Sequence, residues 1–112
     1  MTLGVAILAC GLAAGTCHPA APNVRSYAVR VTAPAGSAVR LGALDLPPGW
    51  IASFCTPRVC SPSRVTLPVR TGSATIQLSY VRENARAGAL RRLHVAARAA
   101  GRRSDALVAV AP

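Results

Sequence analysis

Cys55 and Cys60 bracket Thr-Pro-Arg-Val, a spacing at which two thiols in one surface loop can join. A redox pair would use a tighter Cys-x-x-Cys at a helix N-terminus, and no helix pattern surrounds these two. A zinc or copper site would need two more ligands. The soft candidates are Cys17, His18 and His94. The first two fall in a stretch that reads as linker. A structural disulfide is therefore expected at Cys55–Cys60, closing a six-residue ring worth about 2 kcal/mol on the chain-entropy estimate. No metal site is expected. Catalysis needs a nucleophile, a base and an orienting acid in one cleft. The acids are only Asp45, Glu83 and Asp105, widely spaced. No phosphate loop, paired carboxylates or serine elbow is present. The chain reads as non-enzymatic, with no cofactor.

Charge is the next feature. The net charge of +10 comes from thirteen arginines and no lysine. Arg30, Arg40 and Arg98 each sit between apolar neighbours, and Arg25, Arg64 and Arg86 stand singly. That pattern is the solvated face of strands, and arginine without lysine also fits a GC-rich genome. The doublets Arg91-Arg92 and Arg102-Arg103 flank one expected hairpin and would form a single basic tip, a candidate anion-binding site. Nucleic acid is disfavoured, because few aromatics interleave with the basic residues. Tyr27, Trp50, Phe54 and Tyr80 fall mostly on expected inner faces.

These side chains must be positioned by the elements around them. Residues 3–15, LGVAILACGLAAG, form an uncharged apolar run ending in small residues. The run is too short to span a bilayer and fits the apolar part of an export signal, although no basic residue precedes it. An N-terminal strand or helix packed on the domain is the other reading. Cleavage near Ala13–Gly15 is one processing route. The other is lipidation at Cys10, since Ile7-Leu8-Ala9-Cys10 loosely matches a bacterial lipobox. Cys17 would be left as an odd thiol. Residues 18–26 are Pro/Ala-rich and read as a linker. The expected division is 1–22 as signal and linker and 25–112 as the folded domain.

From Tyr27 the apolar period becomes two. Tyr27, Val29 and Val31 share a face, as do Val39, Leu41 and Ala43, with Gly42 a natural place for a bulge. Trp50, Ala52 and Phe54 follow, with Trp50 expected in the core. Val65, Leu67 and Val69 come next, with Pro68 marking an edge. Ala74, Ile76, Leu78 and Tyr80 form the cleanest strand. Leu93, Val95, Ala97 and Ala99 lead through Gly101–Ser104 into Ala106, Val108 and Val110, with His94 on the polar face. Ala-rich residues 85–100 could be helical by propensity, but Gly88 and the alternation from Leu93 favour a strand. Seven strands with frequent turns predict an all-β, antiparallel immunoglobulin-like sandwich.

Pro48-Gly49-Trp50, then Val65-x-Leu67, then Gly72, then Ala74, Ile76 and Leu78 resemble the NEW3-like immunoglobulin-like domains of bacterial secreted and envelope proteins. The likeness covers residues 27–112. It implies an accessory interaction module rather than an enzyme. The antibody-type inter-sheet disulfide is missing. The expected role is an exported interaction or structural module: periplasmic, secreted or cell-surface, and lipid-anchored if Cys10 is modified. Its membrane contact would run only through the signal or lipid. Expected partners are an envelope protein, an anionic surface, or a second copy through a sheet edge. The alternatives are a polyanion binder using the basic tip and a metal-handling envelope protein using Cys55, Cys60 and a histidine.

Overall fold

A computed structural model describes residues 3–9, 24–84 and 86–109. Cys10, Cys17, His18, the Ala13–Gly15 cleavage region and most of the expected linker lie outside the described residues. Nine strands are present among those described: β1 (Gly4–Ala9), β2 (Val24–Thr32), β3 (Ser37–Leu44), β4 (Trp50–Cys55), β5 (Cys60–Pro62), β6 (Arg64–Val69), β7 (Ser73–Arg82), β8 (Arg92–Ala99) and β9 (Arg102–Ala109). They form two antiparallel sheets. The five-stranded sheet runs β1-β2-β7-β4-β5 and the four-stranded sheet runs β6-β3-β8-β9.

The all-β sandwich is as expected, but the count of seven is corrected to nine. The first addition is β1, which pairs along β2 from Gly4↔Thr32 to Ala9↔Tyr27. Residues 4–9 thus belong to a sheet here, ahead of the boundary expected at residue 25. Leu3, Val5 and Ile7 are partly buried against the core. The second addition is β5, three residues that fold back on β4 with Cys55 opposite Cys60. The Ala-rich segment is strand from Arg92 onward, as the alternation predicts.

Each inner face is the apolar half of a period-two strand. Val29 and Val31, Val39 and Leu41, Phe54, Leu78, and Leu93, Val95 and Ala97 are all essentially inaccessible to water. The core is built mainly of branched aliphatics, with Trp50, Phe54 and Tyr80 as its large members. At roughly 1.5–3 kcal/mol for each fully buried large apolar side chain, this layer is the main stabilising term. Pro68 lies on β6, an edge strand, where its missing N–H costs no ladder bond. Gly42 makes no bulge: β3 runs unbroken through it, pairing Arg64 on one side and Ala96 on the other. The change of phase comes later, where β3 ends and Asp45 takes a left-handed φ of 57°.

The Gly-Trp pair is explained by its surroundings. Trp50 is buried, as expected, and its indole N–H donates to the Gly88 carbonyl at 2.7 Å. The Arg82 guanidinium lies 5.9 Å from the ring centroid and also donates to the Ala87 carbonyl. Gly49 has φ 88°, and a Cβ there would come within 2.5 Å of the Ala87 Cβ. Residues 86–91 close over this end of the core, with Ala87 and Leu90 buried.

Candidate functional site

The outer face of the four-stranded sheet collects most of the polar chemistry. On β8, the residues pointing away from the core are Arg92, His94, Ala96 and Arg98. On β9 they are Arg103, Asp105, Leu107 and Ala109. The ladder stacks these into rows. Thr66, Arg40, Arg98 and Arg103 lie side by side across all four strands. Arg64, Gly42, Ala96 and Asp105 form the next row. Leu44, His94 and Leu107 form the third.

Two of the three acids in the chain converge on one imidazole. His94 Nδ1 lies 2.6 Å from Asp45 Oδ2, and His94 Nε2 lies 2.6 Å from Asp105 Oδ2. Arg103 donates to both oxygens of Asp105, through Nε at 2.7 Å and through its terminal amine at 2.9 Å. The chain positions this cluster simply. Leu44 is the ladder partner of His94, and the left-handed turn at Asp45 brings the next carboxylate over the ring. Asp tolerates that backbone region better than most residues. The His94 side chain is 14% exposed. The hydrogen bond to Asp45, then that to Asp105, raise its pKa above 6.5. The Asp105 carboxyl is held far below the ordinary carboxylate range by Arg103 and then His94. An imidazolium donates from both nitrogens. Each ring nitrogen faces a carboxylate oxygen at 2.6 Å.

Beside this cluster lies a shallow groove of about 690 Å³. Its floor is Gly42 and Ala96, and Arg40, Arg64, Arg98, Leu44, Pro62 and Thr66 rim it. Ala96 is buried even though it faces outward, because longer side chains surround it. Arg40, Arg64 and Arg98 are exposed and form no ion pair with a carboxylate among the described residues. Like charges directly opposite on neighbouring strands destabilise a sheet. Arg40 and Arg98 face each other in this way, with Arg103 next in line.

The expected single basic tip does not form. Arg92 pairs with Ala109 at one end of the β8–β9 hairpin, while Arg102 and Arg103 begin β9 at the other. The doublets are a full strand apart, on the order of 20 Å at about 3.3 Å per residue. Arg91 precedes β8, and Arg103 is tied to Asp105. The expected disulfide is present at Cys55–Cys60. It sits in a hairpin on the edge of the five-stranded sheet, remote from His94 on the other sheet. Among the described residues no group of three or more His, Cys, Asp or Glu side chains could hold a metal ion. Lipidation at Cys10 falls outside the described residues.

The arginine row and the histidine cluster were not readable from spacing. Arg40, Arg98 and Arg103 look scattered until the register brings them together. The one available signal was scarcity: a chain with three acids that places two of them in strand-adjacent positions is holding them for something. No protein-family profile, curated protein or solved structure matches the chain.

Proposed function

We propose that the chain is an exported, non-catalytic interaction domain that engages an anionic partner through the outer face of its four-stranded sheet. The observation that carries this is the uncompensated row: Arg40 beside Arg98, with Arg64 diagonal to Arg40 and, among the described residues, no carboxylate on any of the three. A sheet that keeps like charges opposed forgoes stability, and a bound anion restores it. His94 supports the non-catalytic reading, since both its nitrogens are engaged. The Cys55–Cys60 bond supports export, because such bonds persist in oxidising compartments.

An immunoglobulin-related topology is part of the proposal. The β1-β2-β7 and β3-β8-β9 neighbourhoods correspond to the A-B-E and C-F-G pairings of that fold. The two strand systems between β3 and β7 come in the reverse of the usual order: β4 joins the first sheet before β6 returns to the second. The NEW3-like resemblance fits an accessory role of this kind.

The test is retention on a sulfated resin under rising salt. Two triple variants remove the same charge: Arg40→Gln/Arg64→Gln/Arg98→Gln and Arg86→Gln/Arg91→Gln/Arg92→Gln. The first is expected to elute at clearly lower salt than the second. Equal elution of the two would overturn the assignment of this face.

A further inference from the structure

We propose that the groove over Gly42 and Ala96 is a binding site for an acidic polysaccharide, with its carboxylate or sulfate groups held by Arg40, Arg64 and Arg98. This rests on the anionic-partner reading above and names the partner's chemistry.

Four observations lead there. First, the cations are all arginine, whose planar forks match the oxygens of carboxylate and sulfate two at a time. Second, Arg40 and Arg98 face each other on neighbouring strands about 4.8 Å apart, a spacing suited to a chain bearing regularly repeated charges. Third, the groove opens over β6, an edge strand, so a polymer can run through it and leave past Pro62 and Thr66. Fourth, none of the outward residues of β6, β3, β8 and β9 is Phe, Tyr or Trp, and the one aromatic ring there, His94, is held between two carboxylates. Single-stranded nucleic acid binds by stacking its bases on such rings, and here only its phosphates would be served. Thr66 and the apolar edges of Leu44 and Pro62 suit saccharide hydroxyls and ring C–H groups instead.

The floor is the specific feature. Gly42 lies in an ordinary extended strand, and a Cβ added there would meet only the Leu44 side chain at 4.0 Å. Neither backbone conformation nor packing demands glycine. Its absent side chain keeps the groove open. Valine at 42 suits a strand and leaves every charge in place, yet it fills the seat.

The experiment titrates full-length protein with polygalacturonate, heparin, poly-dT, anionic phosphatidylglycerol vesicles and neutral dextran. Polygalacturonate or heparin is expected to bind tightest and dextran not at all. Gly42→Val and Arg40→Gln/Arg98→Gln are each expected to lose roughly tenfold or more in affinity, while Arg91→Gln/Arg92→Gln loses little. Thermal melts guard against misfolding: the Arg40/Arg98 variant is expected to melt higher than the parent while binding worse. Tighter binding of poly-dT or vesicles, or wild-type affinity in Gly42→Val, would overturn the polysaccharide site while leaving a basic face standing. Binding to none of the polyanions would overturn both.

Discussion

At the residue scale, His94 makes a sharp statement about pH. Its pKa is raised by its two carboxylate partners, so the clamp's contribution is complete below about 6.5 and fades as pH climbs through the raised value. Asp105 is shifted the other way. Its contribution is present above about 3.9 and is lost as acid protonates it. Stability should therefore fall on both sides of a weakly acidic optimum. In melting curves from pH 4 to 9, His94→Gln is expected to flatten the alkaline fall. An unchanged alkaline slope would show the histidine clamp to be inert. Gly49 gives a second residue-scale test. Alanine there must hold φ 88° and press against Ala87, so Gly49→Ala should cost about 2 kcal/mol in denaturant unfolding. A cost near zero would mean the segment around Ala87 moves aside freely. Arg40→Gln should stabilise by a few tenths to 1 kcal/mol, because it relieves a directly opposed like charge.

At the element scale, β1 matters most. Val5 and Ile7, with Leu3 just ahead of the strand, are partly buried, and its backbone pairs Tyr27–Thr32 of β2. A chain starting at Val24 would expose that edge and should lose about 3 kcal/mol, near 1 kcal/mol for each half-buried side chain. It should also associate in a concentration-dependent way through the open β2 edge. Sedimentation of the truncated and full chains checks both: a stable, strictly monomeric short form would show β1 to be dispensable. An uncharged apolar run ending in small residues fits an export signal and equally a packed N-terminal strand, so its residues alone do not choose between them. β5 was missed for another reason: three residues carry no period at all. Where alternation is long, as in β7 with Ile76, Leu78 and Tyr80, strand and facing were plain in advance. The β4–β5 hairpin is held by the Cys55–Cys60 bond. Its removal in Cys55→Ser/Cys60→Ser should cost about 2 kcal/mol without touching the arginine row.

At the scale of the whole molecule, the charge distribution takes on meaning only through register. Arginines that look isolated along the chain, at 40, 64 and 98, assemble on one face. The doublets at 91–92 and 102–103, conspicuous in sequence, end up at opposite ends of a hairpin. Periodicity tells which way a side chain points, but not which distant strand it lies beside. The fold class was thus legible and the site was not. The molecule that results has one polar sheet face with its acids gathered around His94 and its uncompensated cations gathered around Gly42. The central claim is that this face meets an acidic polymer. Backbone amide shift mapping during a polygalacturonate titration tests it most directly. Perturbations should concentrate at Arg40, Gly42, Arg64, Ala96 and Arg98, and vanish in Gly42→Val. Perturbations centred on Arg91 and Arg92, or spread evenly over all thirteen arginines, would contradict it.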